Sequence, residues 1–254
     1  MKVFILCGGF GTRLDHQGKL MAKTMIEIGN KPILMHIIEN FSSQGFNEFV
    51  LCGGHKIGTI KRYFIKKNKN IKIDEKKHLS LTINIKKKKI FFDLIDTGKN
   101  TGTGGRIKMA YNKLSLNEDF ITTYGDGLSN VSIKNLVKFH YKNKAILTLT
   151  AVRPKQRYGI LKMCRDKVNY FDNSKKKSDI YINGGFFVIS KETINLIKNP
   201  NIYLEKEPFK NIIQKDKLYS YKHHGFWASM DTLKDKIDLD KIAKKRKKLP
   251  WKVK

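Results

Sequence analysis

The residues best suited to bind a charged ligand stand directly after the first apolar segment of the chain. That segment, Lys2–Cys7, is followed by Gly8-Gly9-Phe10-Gly11-Thr12-Arg13. Short apolar runs that stop at glycines are typical of buried parallel strands. Glycines let backbone N–H groups approach a base or phosphate, and Arg13 adds a fork-shaped cation for phosphate oxygens. The pattern predicts a nucleotide site, to which Lys23 adds a second positive charge; a tightly packed turn without a ligand is the alternative.

Two aspartates further along the chain have the chemistry of a metal site. Asp126 follows the apolar run Phe120–Tyr124 between two glycines, and Asp231 precedes a segment with helical periodicity. A carboxylate at the carboxyl end of a strand lies where α/β proteins bind ligands. Mg²⁺ usually takes one or two carboxylates, with phosphates and water completing its shell. The sequence therefore predicts that Asp126 and Asp231 hold one Mg²⁺, although a turn-forming role for Asp126 and an N-cap role for Asp231 are simpler explanations.

Two more glycine-rich stretches contain groups that can contact a ligand. The first, Thr101-Gly102-Thr103-Gly104-Gly105-Arg106, opens a segment with helical periodicity. Backbone N–H groups at a helix start, hydroxyls and an arginine make a site for an anion or a base edge, and helix capping by the threonines is equally compatible. The second is Asn183-Gly184-Gly185, in which Asn183 can bind hydroxyls and the glycines allow close approach. A β-bulge is the alternative for these glycines.

The elements that must position these residues alternate along the whole chain. Helices are predicted over 32–44, 57–64, 131–141 and from Thr101 onward, and buried strands over 49–52, 120–124, 145–152 and 180–189. This alternation predicts an α/β fold. Lysine runs separate short alternating pieces over about 66–95, which predicts a lid or edge hairpin. Residues 232–254 are expected to form a helical C-terminal tail.

The composition favours one domain and limits the classes of function. A chain of 254 residues with 40% hydrophobic content can bury one sizeable core, so a single domain over 1–254 is expected. The net charge of +30 raises the possibility of nucleic-acid binding. Of the 52 basic residues, however, only seven are arginine, the residue favoured for planar recognition of bases and phosphates. We therefore attribute the lysines to composition bias and do not expect specific nucleic-acid binding.

Cysteine usage and hydropathy indicate the compartment. The three cysteines, Cys7, Cys52 and Cys164, are far apart and outside any Cys-x-x-Cys pattern, as expected of reduced thiols. No stretch approaches the eighteen apolar residues of a membrane span, and the first residues lack the pattern of an export signal. We expect a cytoplasmic protein without a membrane span.

These motifs together resemble a known enzyme family. The opening Gly-Gly-Phe-Gly-Thr-Arg-Leu is similar to the first motif of the sugar-phosphate nucleotidyltransferases. Later motifs are similar to the glucose-1-phosphate cytidylyltransferase branch of that family, and they cover almost the whole chain in order: Thr-Tyr-Gly-Asp-Gly, Arg-Tyr-Gly, Ile-Asn-Gly-Gly-Phe-Phe and Gly-Phe-Trp-x-x-Met-Asp-Thr-Leu.

The resemblance implies a fold, a reaction and partners. The fold is a Rossmann-like, mixed and mostly parallel sheet sandwiched by helices, of the GT-A-like nucleotidyltransferase type. The reaction is Mg²⁺-dependent transfer of CMP from CTP to α-D-glucose 1-phosphate, giving CDP-glucose and pyrophosphate for the sugars of surface polysaccharides such as O-antigen. The family also implies a homo-oligomer.

The resemblance also assigns roles to residues of this chain. The catalytic residues are Arg13, Lys23, Asp126 and Asp231, and the two aspartates hold the metal. The nucleotide site contains Leu6, Gly8, Gly9, Gly11, Thr12, Arg13, Thr101, Arg106 and Gly125. The sugar-phosphate site contains Lys23, Tyr158, Gly159, Lys175, Asn183 and Gly184.

The chain departs from the family pattern at two places. Thr24 follows Lys23 where the family usually has a Lys-Pro pair. The family commonly has Glu-Lys-Pro where this chain has Asn173-Ser174-Lys175. Lys175, Lys176 and Lys177 are the candidates to replace the missing positive charge. Transfer to another sugar 1-phosphate or from another nucleotide, and binding of a sugar nucleotide without catalysis, are the alternatives.

Overall fold

A computed structural model describes residues 1–9, 20–67, 71–74, 78–85, 87–154, 159–172, 180–245 and 248–253. The strands are β1 (Val3–Leu6), β2 (Glu27–Ile28), β3 (Lys31–Pro32), β4 (Glu48–Gly53), β5 (Ile71–Asp74), β6 (His78–Ile85), β7 (Lys88–Asp96), β8 (Phe120–Tyr124), β9 (Gly127–Ser129), β10 (Leu147–Val152), β11 (Ile160–Cys164), β12 (Lys167–Asp172), β13 (Ile182–Ile189), β14 (Leu218–His223) and β15 (Trp227–Ser229). The α-helices are α1 (Ile33–Ser43), α2 (Ile57–Lys67), α3 (Thr103–Lys113), α4 (Ile133–Lys142), α5 (Thr193–Leu196), α6 (Glu207–Ile213) and α7 (Leu233–Lys245).

Nine strands form the central sheet, in the order β14-β10-β13-β8-β1-β4-β7-β6-β5. Its middle, β8-β1-β4-β7, is parallel throughout. Strand β13 runs antiparallel to β8 and to β10. The predicted α/β fold with a mixed sheet is confirmed.

Helices cover both faces of this sheet because its central strands are apolar on both sides. One core cluster contains Val3 and Ile5 of β1 together with side chains of α1, α4 and α7. The other contains Phe4 and Leu6 of β1, with Ile107 of α3 and Ile212 of α6. Each fully buried Ile or Phe side chain contributes about 1.5–3 kcal/mol to folding. The alternation along β1 thus fixes the three-layer architecture.

The segment predicted as a lid or edge hairpin forms one side of the sheet. Strands β5, β6 and β7 are antiparallel neighbours, and β7 joins them to the parallel block through β4. None of the described residues of 66–95 lines the large cleft at the sheet edge. This segment therefore extends the sheet sideways, and the lid half of that prediction has no support among the described residues.

The C-terminal residues fold back onto α1. Helix α7 is followed by a short segment in which Trp251 is 1% exposed. The Trp251 indole N–H donates to Nδ1 of His36 at 3.3 Å, and the Val253 amide donates to Oδ1 of Asn40. Among the described residues, no helix has the length and apolar character needed to cross a membrane.

The topology gathers several loops at one edge of the sheet. Strands β1, β4, β7 and β8 are parallel, so their carboxyl ends meet there. Because β13 is antiparallel to β8, its first residues reach the same edge. Parallel α/β sheets bind their ligands at this edge.

Candidate active site

A cleft of about 920 Å³ opens at this edge. Its walls include the residues after β1 and β8, the first residues of β13, and the loop that precedes α3. Fourteen of its lining residues matter most for the chemistry: Leu6, Cys7, Gly8, Gly9, Lys23, Thr101, Thr103, Arg106, Tyr124, Gly125, Asp126, Asn183, Trp227 and Asp231. Most were singled out from the sequence, and the fold places them around one space.

The centre of the cleft is a lysine held between two carboxylates. Nζ of Lys23 lies 2.6 Å from Oδ2 of Asp126 and 2.9 Å from Oδ1 of Asp231. The three residues come from distant parts of the chain. Their side chains are 16%, 26% and 43% exposed, respectively, so the carboxylates remain accessible from the cleft.

A small antiparallel ribbon brings the two aspartates together. Strand β9 begins one residue after Asp126, and β15 ends two residues before Asp231. The two strands pair with Gly127 opposite Ser229, and the Met230 amide donates to the Asp126 carbonyl at 2.9 Å. The two carboxylates therefore leave the same end of one ribbon.

Asp231 does not cap α7. Oδ2 of Asp235 accepts from the Thr232 amide at 2.8 Å, and Oγ1 of Thr232 accepts from the Asp235 amide at 3.3 Å. This reciprocal pair is a capping box that satisfies the helix start. The Asp231 carboxylate instead accepts from the Ser229 hydroxyl at 2.7 Å and from Lys23. The N-cap alternative is thereby replaced by a carboxylate directed into the cleft.

Charge on Lys23 is favoured despite its burial. Burial opposes protonation, but the charges and hydrogen bonds of Asp126 and Asp231 outweigh it, so the pKa of Lys23 is raised above its ordinary value. The ammonium is therefore present at neutral pH.

The two carboxylates fit a Mg²⁺ ion that shares its shell with phosphates. Oxygens of Asp126 and Asp231 converge on one cation, Nζ of Lys23. Among the described residues, no cluster of three or more His, Cys, Asp or Glu side chains could hold a metal. Mg²⁺ with one or two carboxylates completes its octahedron with water and substrate phosphates. The donor set is thus of the open kind that Mg²⁺ uses with phosphate substrates.

Arg106 joins loops that form one wall of the cleft. Its guanidinium donates to backbone carbonyls of Gly8, Gly53, Gly98 and Lys99 and to Oγ1 of Thr97, at 2.7–3.2 Å. A Cβ at Gly8 would lie 2.2 Å from Nη1 of Arg106. The glycine is therefore required by the arginine, and Arg106 positions loops where the sequence predicted direct contact with a nucleotide.

The predicted threonine caps are absent from the start of α3. Gly102 is the N-cap, and no side chain caps the helix there. The Thr101 hydroxyl donates to the carbonyl of Thr97, and the Thr103 hydroxyl donates to Oε2 of Glu205 at 2.6 Å. Both threonines line the cleft, so their positions fit the ligand interpretation better than the capping one.

The glycines of β13 mark both a bulge and a close approach. The register of β10 and β13 shifts between Leu149 and Ala151, opposite the glycines. Gly185 has φ +78°, and a Cβ there would lie 2.4 Å from the Tyr124 ring. The Gly184 carbonyl accepts from the Trp227 indole at 2.8 Å. The bulge thus turns Asn183 toward the cleft and seats two aromatic side chains beside it.

Comparisons with known proteins show the family of the chain. The sequence model of a family described as nucleotidyl transferase matches residues 2–239. The chain belongs to this family. Glucose-1-phosphate cytidylyltransferase of Salmonella typhimurium is 38% identical over 256 residues, covering 99% of both chains. A protein of Bacillus subtilis (strain 168), named probable glucose-1-phosphate cytidylyltransferase, is 35% identical over the full length of both chains. The resemblance inferred from the motifs is confirmed.

Comparison with solved structures shows the same fold. A solved UDP-glucose pyrophosphorylase in complex with UDP-glucose matches with a TM-score of 0.69, covering 96% of this chain and 99% of that one. Its sequence identity is 15%, so the likeness concerns the fold.

Some residues predicted for the site of this nucleotidyltransferase are not among those that the structure places at the cleft. Gly11, Thr12, Arg13, Tyr158 and Lys175 lie outside the described residues. Gly159 is described but does not line the cleft; a Cβ there would lie 2.4 Å from the Phe171 ring.

Sequence reasoning also missed two residues near the cleft. Trp227 belongs to the motif Gly-Phe-Trp, which predicts no role for it, yet it lines the cleft. Glu205 precedes α6 in a loop without glycines or a strand end, so no signal marked it. Its contacts with Thr103 and Tyr124 arise only in the folded chain.

Proposed function

We propose that the protein transfers CMP from CTP to α-D-glucose 1-phosphate, giving CDP-glucose and pyrophosphate. The observation that carries this proposal is the meeting of Lys23, Asp126 and Asp231 in one cleft at the carboxyl edge of the sheet. Membership of the nucleotidyl transferase family supports the reaction type. The choice of cytidine and glucose is supported by relatives of that name, which match over nearly the whole chain.

The chemistry requires alignment and charge neutralisation. A phosphate oxygen of the sugar phosphate attacks the α-phosphorus of CTP in line. One P–O bond forms, and the bond to the β-phosphate breaks as pyrophosphate leaves with the electron pair. The nucleophile is an anion at neutral pH, so the step needs no general base. Positioning and electrostatic stabilisation supply the rate enhancement of such transfers.

The residues at the cleft centre divide this work. Asp126 and Asp231 would hold Mg²⁺, which supplies positive charge beside the reacting phosphates when bound. Lys23 offers a permanent ammonium next to the same place, since its pKa is raised. Arg106 fixes the positions of the loops after β1, β4 and β7 relative to one another, because its guanidinium binds a carbonyl from each. Arg13 is proposed to bind the triphosphate, on the strength of the motif alone.

Further features complete the proposal. CDP-glucose would serve synthesis of surface-polysaccharide sugars such as those of O-antigen, in the cytoplasm. One domain over 1–254 would assemble into a homo-oligomer. Exposed apolar side chains on the β11–β12 hairpin support self-association, namely Leu161, Met163, Val168 and Phe171.

The test is pyrophosphate release with Mg²⁺ and α-D-glucose 1-phosphate, measured in parallel with CTP, dTTP, UTP and GTP. We expect release with CTP and at least tenfold less with the other nucleotides. Assays with galactose 1-phosphate or mannose 1-phosphate in place of glucose 1-phosphate test the selectivity for the sugar. Release with dTTP or UTP but not CTP would contradict the cytidylyl assignment.

The Asp126→Asn variant tests the metal assignment in the same assay. The amide keeps the shape of the side chain but removes the negative charge, so turnover should fall by about 100-fold or more. Asp166→Asn is the matched control, because Asp166 lies in the exposed turn between β11 and β12. Full activity of Asp126→Asn would exclude Asp126 as an essential metal ligand.

A further inference from the structure

Glu205 lies behind the wall of the cleft and binds two of its hydroxyl groups. Oε2 accepts from the Thr103 hydroxyl at 2.6 Å, and Oε1 accepts from the phenol of Tyr124. Oγ1 of Thr103 in turn accepts from the Leu204 amide at 2.9 Å. The carboxylate thus links the start of α3 to the end of β8 through the loop before α6.

The ring of Tyr124 is held in one place by packing. It lies against the backbone of Gly185, where a Cβ would approach within 2.4 Å. Its edge-to-face contact with Phe187 has a centroid distance of 5.5 Å. A phenol is ordinarily protonated at neutral pH, so the Tyr124 hydroxyl acts as a donor to Glu205 and its oxygen remains an acceptor.

The phenol oxygen of Tyr124 helps to determine the orientation of the Asn183 amide. Nδ2 of Asn183 donates to the Tyr124 oxygen at 3.2 Å, and Oδ1 accepts from the Gly185 amide at 2.9 Å. An asparagine rotated by half a turn would oppose donor to donor at Gly185. Among the described residues, no protein group accepts the second N–H of Asn183. Asn183 lines the cleft, so that N–H is available to a ligand.

We propose that Glu205 is a positioning residue, which acts through Tyr124 to fix the Asn183 amide as a hydrogen-bond donor to an oxygen of the sugar phosphate. This inference rests on the proposed function. Because Glu205 accepts the Tyr124 proton, the phenol cannot donate to Asn183 and must accept from it. Removing either partner weakens one of the two hydrogen bonds that orient the amide, and the Gly185 amide alone then opposes its rotation. The rotated form becomes more populated, and its carbonyl would oppose a phosphate or hydroxyl oxygen of the substrate.

The test is a steady-state comparison of wild type, Glu205→Gln, Tyr124→Phe and the double variant. Both substitutions preserve side-chain shape and ring packing. We expect KM for glucose 1-phosphate to rise about five- to tenfold, the effect of one misplaced hydrogen bond. KM for CTP should stay within about twofold of wild type. The double variant should be no worse than the more affected single variant, because both changes act on the same amide.

Tyr111→Phe is the matched control. Its hydroxyl donates to the Glu118 carbonyl at 3.1 Å, and Tyr111 does not line the cleft, so both KM values should be unchanged. Unchanged KM for glucose 1-phosphate, equal rises in both KM values, or additive effects in an active enzyme would overturn the positioning role. A wild-type protein that releases no pyrophosphate would overturn the proposed function and this role together.

Discussion

At the scale of single residues, Lys23 occupies the position that a metal ion would share. Its ammonium contacts one oxygen of Asp126 and one of Asp231. Nζ of Lys23 donates a hydrogen bond to each carboxylate. These bonds neutralise negative charge and occupy oxygen lone pairs that would otherwise bind a metal cation. The protein thus carries its own counter-ion, and a metal must compete with it for both carboxylates. In the proposed reaction, nucleotide phosphates would relieve this competition, because they attract the ammonium and can supply further ligands to a metal.

Replacing Lys23 should separate metal binding from catalysis. In Lys23→Met, Mn²⁺ used as a probe for Mg²⁺ should bind the nucleotide-free protein at least about fivefold more tightly, since the carboxylate pair loses its internal cation. Turnover should fall by about 100-fold through loss of the positive charge. Free Mn²⁺ measured by electron paramagnetic resonance reports the first effect independently of activity.

The control for this experiment is a lysine paired outside the cleft. Lys31→Met removes the partner of Glu39 and should leave Mn²⁺ affinity unchanged. Weaker Mn²⁺ binding by Lys23→Met would show that the lysine supports the metal site instead of competing with it.

At the scale of elements, Arg106 stands between the ends of β1, β4 and β7. Parallel strands deliver their loops to one edge, but they do not fix the loops relative to one another. Four carbonyls from these loops converge on the guanidinium of Arg106, a residue that is 5% exposed. Without it, the carbonyl of the buried Gly8 would lose this donor, at a cost of about 1–3 kcal/mol, and the loops would lose their shared cation.

The Arg106→Lys variant tests this structural role. Lysine carries its three donors on one atom, so it cannot reach all the carbonyls that the planar guanidinium binds. We therefore expect the free energy of unfolding, measured in urea, to be about 2–4 kcal/mol lower than in the wild type. Arg62→Lys, on the exposed face of α2, is the control and should change the free energy of unfolding by less than about 0.5 kcal/mol. Equal stability of wild type and Arg106→Lys would leave Arg106 free for the direct nucleotide contact that the sequence predicted.

The contrast between Asp126 and Arg106 shows what the sequence can reveal. An apolar strand followed by Gly-Asp-Gly predicts that the aspartate lies at the carboxyl edge of the sheet. The position of Asp126 can therefore be predicted from the local sequence. Four of the five partners of Arg106 are backbone carbonyls, which every residue has and which therefore leave no signal in the sequence. Glu205 is hidden for a related reason, because its loop has no periodicity. Periodicity thus predicts elements and their ends, whereas long-range hydrogen bonds require the fold.

At the scale of the whole molecule, the net charge of +30 acts on every anionic ligand. Such a field raises the local concentration of phosphate compounds and fades with added salt. The cleft itself combines Lys23 and Arg106 with two carboxylates. Its selectivity among anionic ligands therefore comes from the positions of these side chains and not from the overall charge. The overall charge therefore assists encounter, while the site determines which phosphates are bound productively.

Global stability should fall on mild acidification because the C-terminal segment is anchored on a neutral histidine. Nε2 of His36 donates to the Ile28 carbonyl, and Nδ1 accepts from Trp251. Burial, with Lys31 and Lys252 adding to it, lowers the pKa of His36 in spite of Glu39 and the Ile28 carbonyl. The unfolded chain therefore binds the proton first as pH falls through about 6.5, and the free energy of unfolding decreases below that pH. Urea unfolding at pH 7.5 and 5.5 should show lower stability at 5.5.

Two variants assign this pH dependence to the His36–Trp251 contact. His36→Gln removes the titrating group, and Trp251→Phe removes the indole N–H while keeping a large ring in the core. Both should narrow the gap in unfolding free energy between the two pH values. The burial of His140 lowers its pKa as well, so part of the gap should persist in both variants. If the difference in unfolding free energy between the two pH values were as large in His36→Gln as in the wild type, another group would cause the acid sensitivity. A smaller difference would mean that protonation of His36 loosens the C-terminal segment from α1.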